Sequence, residues 1–386
     1  MPLPKLILQT AALAAITCGL FFLLEIGYSL AAPDGFERGV VQGENWGIVG
    51  ELDEDLGWRN RASTVGRIRC PEFECMVRIN AEGFRDPERN ASAASGRKRV
   101  AVLGDSIAWG WGVQDDERFS AVLEHEFFKD VEFLNFAVPG YGTDQEFVVL
   151  RDVVPAYEPD LVVLCMCMND LAECRSDSLG SLPKPRFVAD GEGSWYWEVA
   201  KRRSFGDRLA TAKNGWRLWA RAESAAAWSW TGGKQGPTPP HDPDAIRYHA
   251  QDGPMRAMLE QYMAGFLDPR EPANHALHEI ARLCEAHGWP LVLTSAPFGH
   301  DQYLYEPRFP VGDADRASWG GGTLSPVVRE LARELGSPWV DVDLAMLAAS
   351  RMGIRLHCGD GHPNAAGHRV VAECLAPVLK SMLGQT

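Results

Sequence analysis

The stretch Arg99-Val100-Ala101-Val102-Leu103-Gly104-Asp105-Ser106 is a short aliphatic run that stops at Gly-Asp-Ser. Its apolar residues do not alternate with polar ones and are too few for a helix. They read as a parallel strand buried on both faces. A serine at the carboxyl end of such a strand, opening a helix, sits where open α/β sheets bind ligands. Far along the chain, Asp360-Gly361-His362-Pro363-Asn364 supplies an acid and a histidine, the two groups that turn a serine into a nucleophile. Each stretch alone has an ordinary structural reading, a turn serine and a surface Asp-x-His.

Working outward, the pattern of buried strand and amphipathic helix repeats. After Ser106 the run Ile107-Ala108-Trp109-Gly110-Trp111-Gly112-Val113 turns on glycines, and its tryptophans either wall a pocket or simply pack. A helix near Glu117 carries Phe119, Val122, Leu123 and Phe127 on one face. Val131 to Val138 is the next strand and ends in Pro139-Gly140-Tyr141-Gly142. Thr143-Asp144-Gln145-Glu146 then reads as a capping box with threonine at the N-cap. A third strand, Leu161 to Met168, runs into Asn169-Asp170. Right-handed crossovers put the three strand-end loops on one side of the sheet.

In the second half, Met255 to Phe266, Ala273 to His287 and Leu324 to Leu335 read as helices, with strands at Pro290–Thr294 and Trp339–Val342. Five strands with helical crossovers predict a three-layer, doubly wound parallel α/β domain. A helical stripe, Val370, Val371, Cys374, Leu375, Val378, Leu379 and Met382, closes it. His357 and His368 lie near His362 in sequence and read as structural.

Taken in order, Gly104-Asp105-Ser106, Gly140, Asn169 and His362 match the four blocks of the SGNH (GDSL-type) hydrolases. The chain resembles that superfamily, and its extracytoplasmic bacterial members in particular, over about residues 98–384. The resemblance implies a five-stranded flavodoxin-like sheet and an ester hydrolase working through an acyl-enzyme without cofactor or metal. It implies Ser106 as nucleophile, His362 as general base and Asp360 as the acid that orients it. The oxyanion hole would comprise the Ser106 and Gly140 amides and the Asn169 side chain. Two departures stand out. Cys167 replaces the usual glycine of the third block, and the acid spacing is Asp-x-His rather than Asp-x-x-His. Some polysaccharide O-acetyltransferases of the superfamily share the shorter spacing. Cys165 and Cys167 share one face of an extended strand and read as core packing.

Residues 171–255 interrupt the α/β alternation and are expected to form a cap over the catalytic edge. Lys184–Val188 and Ser194–Val199, joined by Asp190-Gly191-Glu192-Gly193, read as a β-hairpin. Residues 200–230, with Trp216, Trp219, Trp228 and Trp230, suggest helix, and 232–243 is a Gly/Pro loop. The cap aromatics either contact sugar rings, acyl chains or lipid, or glue the cap to the body.

At the other end, Leu6 to Leu24 is almost all apolar and approaches the roughly 20 residues needed to span a bilayer. It reads as a signal anchor, the competing reading being a signal peptide cleaved after Ser29-Leu30-Ala31. Both place the catalytic domain outside the cytoplasm, because Lys5 favours an inside N-terminus. Residues 33–97 read as linker and entry segment with small β elements, including Met76–Ile79. Within them Cys70 and Cys75 either form a local disulfide or stay free.

A formal net charge of −14 argues against nucleic acid as a partner. A composition of 46% hydrophobic and 23% charged residues argues against disorder too. The expected partners are therefore an ester substrate, on carbohydrate or lipid, and the membrane through the first segment. Acyl transfer to a carbohydrate hydroxyl differs only in the acceptor and stays open. A non-catalytic carbohydrate-binding module on the same scaffold would need none of the four blocks.

Overall fold

Two antiparallel hairpins precede the central sheet. In this computed structural model, β1 (Gly50–Asp53) pairs with β2 (Gly57–Asn60), and β3 (Val65–Arg69) with β4 (Glu74–Arg78). The structure describes residues 49–69, 73–90, 96–179, 182–192, 194–199, 264–295, 324–358 and 361–385, together with Gly19, Leu20 and Leu23. Apart from those last three, all belong to one unit, Gly35–Ala200 with Asp244–Thr386. The alternation of β3 and β4 sends Ile68, Cys75 and Val77 into the core. Cys75 is a free thiol whose pKa burial pushes up; Cys70 lies outside the described residues. Trp58 of β2 is fully buried, and its Nε1 donates to Pro139 O at 3.0 Å. The entry hairpins are thus packed into the same core as the sheet.

The sheet holds β5 (Lys98–Gly104), β6 (Val131–Asn135) and β7 (Leu161–Met166). Between them and the last two strands come the short hairpin β8 (Ser178–Leu179) and β9 (Leu182–Pro183), then β10 (Arg186–Ala189) and β11 (Trp195–Glu198). The last two strands are β12 (Leu291–Ser295) and β13 (Trp339–Val340). The spatial order is β13-β12-β7-β5-β6, parallel throughout. This is the five-stranded parallel α/β sheet that the sequence predicts. From β5 the chain goes first to one side, to β6, and then across to β7. The direction reverses between β5 and β7, and doubly wound sheets bind their ligands at such a switch point. Ser106 follows β5 and Asn169 follows β7, so the topology alone brings these two together.

Helices cover the strands. They are α1 (Ser106–Trp109), α2 (Phe119–Val122), α3 (Thr143–Asp152), α4 (Asp170–Arg175), α5 (Pro272–His287), α6 (Ser325–Glu334), α7 (Asp343–Arg351) and α8 (Ala365–Met382). A π-helical turn, Leu123–Phe127, continues α2. The predicted stripe of α8 buries Val371, Leu375 and Leu379. The helix α7 carries no strong sequence signal and was not anticipated.

One local expectation fails. The N-cap of α3 is Gly142, not Thr143, and Gln145 Oε1 accepts from Gly142 N–H at 3.2 Å. The cap slides back by one residue because Thr143 is drawn fully inside. Glu146, which a threonine cap would have used as the reciprocal acceptor, is buried instead.

The predicted hairpin forms as β10 and β11, with Phe187 opposite Trp197. Trp195 stacks on His275 of α5 with ring centres 4.8 Å apart, and Phe187 meets His275 edge-on at 4.8 Å. These rings join the hairpin to the body, whereas Tyr196 faces solvent. The rest of the cap from residue 200 to 255, including Trp216, Trp219, Trp228 and Trp230, lies outside the described residues, as does most of the expected helix Met255 to Phe266. So does most of 6–24. Among the described residues no helix is long and apolar enough to cross a membrane.

Candidate active site

The nucleophile turn is built to leave no freedom. Gly104 ends β5 at φ 151, and a Cβ there would lie 2.6 Å from Ala108 Cβ and 3.0 Å from Cys165 O. Asp105 caps α1, its Oδ1 accepting from Ile107 N–H at 2.9 Å. Ser106 is then the first helical residue, with its hydroxyl at the carboxyl edge of the sheet. The following loop is held by a residue that sequence reasoning passed over as part of a turn. Arg85 is fully buried; its guanidinium donates to Gly110 O at 2.5 Å, Val113 O at 2.7 Å and Asp115 Oδ1 at 2.9 Å. It also lies over the Trp109 ring at 4.6 Å. Arg118 in turn donates to Arg85 O and to Asp115 O. The signal available was a lone Gly-Phe-Arg-Asp, which does not by itself say what an arginine will meet. Trp109 and Trp111 are both buried, the Trp111 ring lying beside His362.

His362 arrives from the loop between α7 and α8. That loop is closed by a bridge between His357 and Pro363 and by Cys358 N–H donating to His362 O at 2.8 Å. Asn364 caps α8 by accepting from Gly367 N–H at 3.1 Å. The result places His362 Nε2 2.9 Å from Ser106 Oγ, across a sequence separation that only the fold can close. The imidazole faces Trp111, with ring centres 5.8 Å apart. Asp360 lies outside the described residues. His368 is a different case: its Nδ1 accepts from Phe119 N–H at 3.2 Å, and it stacks on that ring. Burial first, then Arg85 and Arg118, push its pKa down to about 3, so it is a neutral packing group.

The two remaining predicted residues reach the same edge. Gly140 takes φ 77 between Pro139 and Tyr141; a Cβ would lie 2.6 Å from Leu179 Cδ2, so β8 closes over this turn. Tyr141 Oη donates to Trp58 O at 2.6 Å and fixes the turn from below. Asn169 caps α4. Its Nδ2 donates to Asp105 Oδ2 at 3.2 Å and to Glu173 Oε1 at 3.0 Å. Cys167 is buried and free; its N–H donates to Asp170 Oδ2 at 2.9 Å. Cys167 thus packs beneath the loop that carries Asn169.

Behind Asn169 lies a group of buried acids that the sequence did not reveal as a group. Asp144 is paired with the buried Lys184, whose Nζ is 2.6 Å from Oδ2. Glu146, Asp170 and Glu173 form no ion pair with a cation among the described residues. Burial pushes each carboxyl well above its usual range, and the neighbouring acids add to the effect. Neither oxygen of Glu146 has a hydrogen-bond partner among the described residues. These acids do not form a metal-type cluster among the described residues.

Several solved structures are similar at low identity. A putative acylhydrolase from Bacteroides fragilis is 15% identical, covering 76% of this chain and 91% of its own, with a TM-score of 0.35. A carbohydrate acetylesterase family member from Sinorhizobium meliloti is 16% identical, covering 74% and 99%, at 0.37. An acetylxylan esterase from Geobacillus stearothermophilus is 14% identical, covering 76% and 97%, at 0.36. Likenesses this distant add nothing to the assignment, and no curated protein matches. The family model of GDSL-like lipases and acylhydrolases, however, matches residues 102–370, from within β5 into α8. That span contains the serine turn, Gly140, Asn169 and His362 in order, and the chain belongs to the GDSL-like lipase/acylhydrolase family of ester hydrolases.

Proposed function

We propose that the chain cleaves an oxygen ester of a carbohydrate or lipid through an acyl-enzyme. The observation that carries this reading is the 2.9 Å contact between Ser106 Oγ and His362 Nε2. Ser106 Oγ attacks the acyl carbon while His362 takes its proton and then returns it to the leaving alcohol; water repeats the sequence to free the acid. Negative charge develops on the acyl oxygen, and the amides of Ser106 and Gly140 with Asn169 Nδ2 receive it. Asp360 orients the imidazole. Labelling with a fluorophosphonate and mapping the modified peptide tests this without knowing the natural ester. Ser106→Ala abolishes labelling and hydrolysis of short p-nitrophenyl esters; equal rates for wild type and variant remove Ser106 as nucleophile. Asp360→Asn lowers kcat by up to about 10⁴; a loss below about tenfold reduces the triad to a Ser–His pair.

The first segment supports an extracytoplasmic setting for this chemistry. Residues 6–24 act as a signal anchor that leaves the catalytic domain outside the cytoplasm. The full chain then fractionates with membranes and stays accessible to protease added from outside. A shortened chain free in the soluble extracytoplasmic fraction rules out the anchor.

A further inference from the structure

The Asn169 amide nitrogen is engaged by two carboxyl groups, while its Oδ1 has no hydrogen-bond partner among the described residues. Its Nδ2 bears two protons, one directed at Asp105 Oδ2, at 3.2 Å, and one at Glu173 Oε1, at 3.0 Å. Glu173 stands one helical turn beyond Asn169 and donates its own N–H to Asn169 O at 2.9 Å. It thus holds the asparagine at both backbone and side chain. We propose that Glu173 is a positioning residue, whose carboxyl fixes the Asn169 amide at the place where it meets the oxyanion. This rests on the reading of Asn169 as an oxyanion donor. The longer bond, to Asp105, is the one an oxyanion can replace; the bond to Glu173 remains as the pivot.

The surroundings decide the form in which Glu173 does this. Asp105, Asp144, Glu146 and Asp170 face this pocket, with Lys184 as its one cation among the described residues, already seated on Asp144. Burial is the largest influence on Glu173, and it favours the neutral acid. Glu173 Oε2 has no hydrogen-bond partner among the described residues and is the oxygen left to carry the proton. A neutral Glu173 keeps a carbonyl-type acceptor for Asn169 and puts no negative charge beside the developing oxyanion. An ionised Glu173 grips the amide more tightly and repels that oxyanion. Turnover therefore falls as pH rises through its ionisation. A glutamine keeps the acceptor and cannot ionise.

The test is a set of variants of the full chain assayed with p-nitrophenyl acetate and with a fluorophosphonate. Glu173→Ala lowers kcat about tenfold or more with KM nearly unchanged, because the amide loses its pivot. Glu173→Gln restores most of kcat near neutral pH and removes the alkaline fall seen in wild type. Asn169→Ala loses about 10²–10³ in kcat, and adding Glu173→Ala to it causes no further loss. Wild-type kcat in Glu173→Ala, or losses that multiply in the double variant, overturns the proposal while the esterase reading stands. If Glu173→Ala does not fold, a Glu173→Gln variant whose alkaline limb matches wild type overturns it as well. A wild-type chain that neither hydrolyses nor labels overturns the nucleophile reading, and this role with it.

Discussion

Two buried polar clusters flank the serine turn, and they solve opposite problems. On the entry-hairpin side are Arg85 and Arg118, both almost wholly buried. Their donors meet backbone carbonyls of the nucleophile loop and the carboxylates of Asp86 and Asp115. On the Asn169 side are Asp105, Asp144, Glu146, Asp170 and Glu173, sharing a single lysine among the described residues. A guanidinium can be buried charged because loop carbonyls, which must find donors anyway, supply its acceptors. Several carboxylates beside one ammonium cannot all be buried charged, so the cheaper course is to hold protons. The first cluster is an anchor built from fixed charges. In the second, burial pushes Glu146, Asp170 and Glu173 toward the neutral acid, while Asp144 is paired with Lys184.

Removing the anchor gives the largest effect. Arg85→Met keeps the bulk of the side chain but removes its hydrogen bonds to Gly110 O, Val113 O and Asp115 Oδ1, leaving Asp115 with Arg78 and Gly110 O with the Val113 N–H. Leaving a buried carbonyl without its donor costs about 1–3 kcal/mol, a sizeable part of the stability of an ordinary domain. Urea unfolding measures this directly, and fluorophosphonate labelling of Ser106 falls with it because the loop after the nucleophile loses its clamp. A variant with wild-type midpoint and labelling would make Arg85 a passenger and dissolve the contrast between the clusters.

Why this contrast escaped sequence reading while the sheet did not is a matter of range. Each parallel strand declares itself within a few residues, as Val100–Leu103 or Leu161–Leu164 do, since both faces are apolar. Ser106, Gly140, Asn169 and His362 follow because each sits at a strand end or in a short loop whose order along the chain is enough to match. The acid cluster has no such local mark. Glu146 reads as a surface residue of a capping box until the cap proves to be Gly142 and the helix turns it inward. Glu173 reads as an exposed helix residue until α4 is seen to pack against α3, α5 and β10. Lys184 gives nothing away until it reaches Asp144, forty residues earlier. Arg85 depends in the same way on a loop that the entry hairpins must first meet.

The smaller effect, on stability against pH, tests the second cluster. Glu146 is held in its neutral form by burial, with Asp105 and Asp144 adding to that. Below the unfolded-state value of about 4.3, native and unfolded chains both carry its proton and nothing is lost. As pH rises past that point the unfolded chain releases the proton and the native one keeps it, so stability falls with pH until the raised native value is passed. Each proton so held costs up to about 1.4 kcal/mol per pH unit. Asp86, pushed up to about 6 by burial against the pull of Arg89 and Arg118, contributes a step of the same sign that ends near there. Between about pH 6.5 and 8 His368 and the buried cysteines also contribute to the slope, so urea unfolding isolates Glu146 only when wild type is compared with a variant that leaves those groups in place. Glu146→Gln places an amide where the carboxyl has no partner, which costs about 1–3 kcal/mol at every pH. The level is thus uninformative and the slope decides. In the variant the decline flattens by up to one proton's worth, and the two curves draw together as pH rises. Parallel curves for wild type and variant would mean that Glu146 is already ionised inside the protein, and the division between a charged anchor and a protonated cluster would fail at the acid whose two oxygens have no hydrogen-bond partner among the described residues.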